Sequence, residues 1–431
     1  MFKNNILLLV LITFIFIGAL PASAVIGDSS LTASEYQDII GRGMATSWLK
    51  TDNNSYSLQA LQDIKARGFN NVRIRTFADV YTTQTELSAL VKVVDDCIVE
   101  GIVPIISWIN HDAEDRGNDT DRTEYIQWWT NVAKVMADKS HLLSFNLFTE
   151  LGGGSPIRQD VSVYNDWTRN VVDSIRAISP TRMIILSAPA KNVGSLVDID
   201  PTIYQKDKYM MAEWHLYASG PNKKGGQKNW VGNGSPSDRE NVTSIVNEAV
   251  AFTNRTNIPT YFGAWMPMDN QGGSLTPEEI TNFCNFFLNT LSDAGLPWSV
   301  NALDQYYDKK NNTWKSEMSY IVDLLVTVGD FGITGLIDER LHVAPLYLLG
   351  QNYPNPFNPS TKISYQITRS DHVTLKVYNL FGQEMTTLED GFKTSGTHQV
   401  QFDAFNLSSG VYYYTLKTGN YKAVQKMLYL K

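Results

Sequence analysis

Glu150 closes an apolar run, LLSFNLFTEL, and three glycines follow at Gly152, Gly153 and Gly154. Further along, EWHLY places Glu213, His215 and Tyr217 at alternate positions. On a strand such residues share a face. NVRIRTF does the same for Arg73 and Arg75, which point to one side together. A third apolar run ends in Trp108-Ile109-Asn110-His111-Asp112, another in Ala264-Trp265, and a last one carries Asn301 and Asp304. Carboxylates, cations and tryptophans that converge in this way suit a sugar site, where polar groups orient a ring and aromatic walls cover its apolar face. Cleavage of a glycosidic bond asks for a proton donor and a second carboxylate, about 5 Å apart for retention and farther apart for inversion. Singly, each residue has a plainer explanation. Glu150 could be loop surface, Arg73 could pair with a core acid, and His215 could be a hydrogen-bonded interior histidine.

The elements that would position these groups follow a regular alternation. Eight short apolar runs read as strands, at residues 39–45, 71–77, 102–108, 142–148, 183–188, 209–217, 259–265 and 298–304. Helix-period stretches lie between most of them, such as YSLQALQDIKARG and TELSALVKVVDDCIVEG, the latter stopping on Gly101. Eight strand-then-helix units predict an α/β fold, the (β/α)8 TIM barrel, whose reactive groups stand at the C-terminal ends of the strands. An open doubly wound sheet is the alternative, but no glycine-rich phosphate loop follows the first strand.

Both ends of the chain break this pattern. Lys3, the apolar run ILLLVLITFIFIGAL and Ala22-Ser23-Ala24 read as a signal peptide over 1–24. The run is short for a membrane span, and nothing later is apolar enough to be one, so no transmembrane span is expected in the mature chain. Past residue 327, a linker over 328–350 leads into QNYPNPFNPST and then short alternating strands, a small all-β sandwich over 351–431. Tyr412, Tyr413 and Tyr414 are consecutive, so they alternate faces and form no stacking row. With net charge −8 and no basic runs, the 431 residues exclude a nucleic-acid partner. Cys97 and Cys284 fall in separate predicted helices and read as buried thiols. No Cys/His cluster has metal-ligand spacing, and neither a metal nor a cofactor is expected.

The tail resembles the C-terminal sorting domain of the type IX secretion system through NYPNPFNPSTKISYQI, VYNLFGQEM, LSSGVYYYTLKT and the final KMLYLK. This implies a Gram-negative cell, type IX machinery as a partner, and release or attachment at the cell surface. Residues 25–327 resemble glycoside hydrolase family 5. GFNNVRIRTF matches its second strand through Arg73, LLSFNLFTEL its fourth through Glu150, EWHLY its sixth through His215 and Tyr217, and IPTYFGAW its seventh. The resemblance implies a polysaccharide or oligosaccharide substrate and makes Glu150 the acid/base. It also exposes departures. Ala264 stands where that family has its nucleophilic glutamate, Thr149 replaces an asparagine, Ile109 a histidine, and Asn301 lies near the place of a tryptophan. A methyl group cannot attack an anomeric carbon.

Three functions are therefore carried forward. The first is a hydrolase with Glu150 as general acid and a relocated second carboxylate, Glu213 before Asp304 or Asp269. His215 and Tyr217 assist it, and Arg73, Arg75, Trp108, Asn110, His111, Trp265 and Asp304 bind substrate. The second is a lyase or hydrolase of uronic-acid polymers, with Arg73 and Arg75 neutralising the substrate and His215 and Tyr217 moving protons. The third is a non-catalytic glycan-binding barrel at the cell surface, with Trp108, Trp214, Trp230 and Trp265 stacking on sugars. An engineered Ala264 knock-out fits poorly, because four positions depart rather than one.

Overall fold

A computed structural model describes residues 30–49, 55–77, 87–151, 154–216, 230–268, 275–329, 347–367, 370–380, 382–394, 396–418 and 421–431. Eight parallel strands close into one barrel in chain order. They are β1 (Arg42–Leu49), β2 (Asn71–Phe77), β3 (Val103–Ile109), β4 (Ser144–Asn146), β5 (Met183–Ser187), β6 (Met210–His215), β7 (Thr260–Trp265) and β8 (Trp298–Val300). β1 pairs with both β2 and β8, which shuts the sheet and removes its edges.

The strands begin and end near the predicted places, with two corrections. β1 runs to Leu49 rather than stopping at residue 45. β8 stops at Val300, so Asp304 leaves the strand and enters a short helix, Leu303–Tyr306.

The helices around the barrel start where side chains can satisfy free backbone N–H groups. Thr32, Ser235 and Thr276 each cap a helix in a reciprocal box with an acid three residues on. Pro236 and Pro277 occupy first-turn positions where no N–H is needed. Gly68 ends the helix Leu58–Arg67 at φ 102°, a left-handed geometry that suits glycine. One apolar core joins the outward faces of the strands to these helices. Cys97 and Cys284 lie within it as buried free thiols.

A small hairpin, β9 (Tyr307–Asp308) and β10 (Thr313–Trp314), follows the barrel. The C-terminal part has its own core and two antiparallel sheets. One contains β11 (Tyr347–Leu349), β12 (Ser360–Ile367) and β15 (Gly396–Asp403). The other contains β13 (Asp371–Tyr378), β14 (Glu384–Lys393), β16 (Gly410–Thr418) and β17 (Tyr421–Tyr429). Tyr412 and Tyr414 point into that core while Tyr413, between them, is half-buried, as strand alternation requires. Among the described residues no helix is long and apolar enough to cross a membrane. The signal-peptide segment and most of the linker lie outside the described residues.

Candidate active site

The register of the barrel selects which side chains meet inside it. Arg75 is level with Ser107, and Ser107 with Asn146, on β2, β3 and β4. Ser187 is level with Glu213, and Glu213 with Tyr261, on β5, β6 and β7. Neighbours in a parallel ladder project to one side, so Ser107, Asn146, Ser187, Glu213 and Tyr261 join Arg73 in the barrel's polar interior.

Arg73 is wholly buried and every edge of its guanidinium is used. Nε and Nη2 donate to Asn146 Oδ1 at 3.1 and 2.7 Å, Nη1 to the Gly263 carbonyl at 2.9 Å, and Nη2 to the Thr149 carbonyl at 2.9 Å. Nη2 also meets Glu213 Oε1 at 2.6 Å. Glu213 is equally buried. Its Oε1 lies 2.5 Å from His215 Nε2, and its Oε2 accepts from Asn146 Nδ2 and lies 3.2 Å from the Ser187 hydroxyl. A buried charge is tolerable only when so completely paired.

The carboxylate of Glu213 leans across onto β7. A Cβ built on Gly263 would stand 1.9 Å from Glu213 Oε1. A side chain at residue 263 is thus replaced by an acid group delivered from the neighbouring strand. Ala264, next along, is level with His215. A bulge in the β6–β7 register at this point shifts the alternation, and Trp265 turns outward into the helix layer.

Glu150 sits past the end of β4, half-exposed, and pairs with the ammonium of Lys191, which follows β5. Burial pushes the Glu150 carboxyl up, but His215, Lys191 and Arg73 pull harder and hold it below the usual carboxylate range. Thr149 points inward instead of toward the mouth, its hydroxyl 2.7 Å from that of Ser107. His111 opens the helix His111–Arg116 and is largely exposed. Its hydrogen bond to Glu114 raises its pKa, and the nearby Glu150 charge adds to this.

Several predicted site residues do other work. Trp108 is buried between Tyr125 and Phe148, with ring centroids 4.8 and 5.7 Å away. Trp265 is buried against Phe287 and Trp298 at 5.2 and 5.4 Å. Both were expected on the sugar surface. Both belong instead to the seam between strands and helices, because the residues just before them, Ser107 and Ala264, face inward, Ala264 through the bulge in β7. Trp214 is buried against Phe262, and Trp230 lies under Arg239. Asn110 caps its helix, accepting from Ala113 N at 3.0 Å. Arg75 does not join Arg73 at the pocket floor. It turns to β1, donating to the Thr46 carbonyl at 3.1 Å and to Ser47. Asp304 pairs with Lys309 at 2.6 Å in its short helix. Tyr217 and Asp269 lie outside the described residues.

Five residues of the interior and its mouth carry no role in the sequence reading: Ser107, Asn146, Ser187, Lys191 and Tyr261. An asparagine inside LLSFNLF and a serine ending MIILS are polar breaks in buried strands, and that was a usable signal. Lys191 offered none beyond lying shortly after a strand end.

Comparison with known proteins decides the family. The model for cellulase, glycosyl hydrolase family 5, matches residues 33–305. The chain belongs to glycosyl hydrolase family 5. The model for the secretion system C-terminal sorting domain matches residues 351–429, which makes the tail an address for secretion and surface attachment. A curated relative of the barrel, endoglucanase H of Acetivibrio thermocellus, is 28% identical over 236 residues, 52% of this chain. The match spans about a quarter of that relative's length, 24%. Among solved structures, an endoglucanase aligns at a TM-score of 0.58 with 17% identity, covering 69% of this chain and 100% of that one. An endoglucanase from the hyperthermophile Thermotoga maritima gives 0.57 and 18%, covering 69% and 100%. At such identities these structures establish the family-5 barrel as a fold.

Proposed function

We propose that the family-5 barrel is a secreted glycoside hydrolase acting on a β-linked glucan by single displacement. In this reading Glu150 gives its proton to the leaving oxygen. Water adds to the anomeric carbon from the side of Ala264, where β7 offers no carboxylate. The water's proton passes to the His215 imidazole, which stands two residues nearer the mouth along β6 and is held by the Glu213 carboxylate. The product then has inverted configuration.

One observation carries this reading. The Glu213 carboxylate occupies the side-chain space over Gly263 and binds both Arg73 and His215. In this reading β6 supplies the second acid of the reaction. The substrate class rests on the names of the relatives, endoglucanases in both the curated and the structural matches. Export would use the signal peptide over 1–24 and the tail over 351–431. The barrel at 25–327 is the cargo, 328–350 the linker, and the type IX machinery of a Gram-negative cell the partner. The uronate reading loses support, since Arg73 is already neutralised by Glu213.

A glycan-binding barrel is the second reading. It is favoured by the absence of exposed surface on Glu213 and by the Lys191 counter-charge on Glu150. Reducing-end release from soluble β-glucans separates the two. The hydrolase reading expects turnover by the wild type and a loss of about 10²–10⁴-fold in Glu150→Gln. No turnover by the wild type, with retention on insoluble glucan, would establish the binder.

A further inference from the structure

Lys191 has an unusual backbone for its residue type. Its φ is 68°, a left-handed conformation that residues other than glycine adopt rarely. The turn is held from several directions. Lys191 N donates to the Ala188 carbonyl at 2.9 Å, and the Lys191 carbonyl accepts from His215 N at 2.6 Å. The next residue, Asn192, caps the helical turn Val193–Asp198 through Ser195 N. The side chain then reaches Glu150 beyond the end of the adjacent strand β4. One residue thus touches the two groups at the mouth, the carboxylate by its ammonium and the histidine's strand by its carbonyl.

We propose that Lys191 is a positioning residue. Its ammonium neutralises Glu150 in the open mouth and is drawn off by an entering sugar, while its backbone carbonyl fixes β6 at His215. The consequence for the reaction rests on the hydrolase reading above. The other basic side chains facing Glu150 are bound elsewhere. Arg73 from β2 and His215 from β6 are bound to Glu213 at 2.6 and 2.5 Å, and His111, beyond β3, is bound to Glu114 at 3.2 Å. Among the described residues Lys191 alone is in ion-pair contact with Glu150. Sugar hydroxyls that take the ammonium remove this counter-charge, and the sugar ring deepens the burial of Glu150. Both effects favour the protonated acid, so Glu150 takes up a proton from solvent as substrate binds. A carboxylate paired at rest becomes a proton donor only in the complex.

The test reads Glu150 directly and needs no turnover. The full chain is labelled with ¹³C-carboxyl glutamate, and the Glu150 signal is assigned by its loss in Glu150→Gln. Its titration is followed in the wild type, Lys191→Gly and Lys191→Arg. Glycine accepts the left-handed backbone without strain, so Lys191→Gly is compatible with the turn and the bond to His215 while removing the side chain that carries the ammonium. The expected result is a midpoint about one pH unit or more higher in Lys191→Gly, with Lys191→Arg close to the wild type. A Lys191→Gly midpoint equal to the wild type overturns the proposal. A shifted midpoint in a protein that hydrolyses no glucan sustains the charge role of Lys191 and sinks the hydrolase reading alone.

Discussion

The barrel holds two acid–base pairs with the same chemistry in opposite settings. Arg73 and Glu213 lie in the dry interior with no exposed surface, and Asn146, Ser187, His215 and two backbone carbonyls complete their hydrogen bonds. Lys191 and Glu150 lie at the mouth, with 24% and 33% of their side chains open to water. In the interior neither charge can leave its partner without stranding the other in a low-dielectric medium. At the mouth, water replaces either partner cheaply and the attraction is weak. The interior pair is therefore architecture that fixes where a carboxylate stands. In the proposed reaction it is the carboxylate of the mouth pair, Glu150, whose charge changes.

The largest expected effect comes from breaking the interior pair. Glu213→Ala leaves Arg73 charged and buried, which costs about 3–5 kcal/mol of folding stability. Denaturant unfolding at neutral pH measures it. A loss of less than about 1 kcal/mol, the range of surface pairs, would show that the two settings do not differ as described.

The mouth pair should respond much less. Glu150→Gln is expected to change stability by no more than about 1 kcal/mol at neutral pH, discounted for its exposure. The sign of its pH dependence is fixed. The folded-state pKa of Glu150 is lowered, so its contribution is present above the ordinary carboxylate range and is lost as pH falls through the folded value. Unfolding curves of wild type and Glu150→Gln should therefore converge in acid. A gap that persists or widens there would contradict the assignment of the charge.

The same contrast explains what was legible in the sequence. Alternation of short apolar runs with helix-period stretches reveals a barrel, because closure and helix covering impose both periods on the chain. Arg73, Glu213 and His215 were recoverable for the same reason, as polar residues of one parity in buried strands. Trp108 faces the helices by plain strand alternation, whereas Trp265 does so only through the bulge in β7, which no sequence period announces. Each directly follows an inward-facing residue, Ser107 and Ala264. Asp304 was misplaced because β8 ends early. Lys191 could not be found at all. Its place depends on a left-handed turn held by His215, whose backbone is distant in sequence.

The most direct test of the central claim is the configuration of the first product. Proton NMR of a β-glucan digest, recorded before the anomers equilibrate, distinguishes inversion from retention. Single displacement, with Ala264 in place of a nucleophile and the second acid supplied from β6, predicts that the α-anomer appears first. Initial release of the β-anomer would mean that a covalent intermediate forms on a carboxylate of this chain, and would contradict the account.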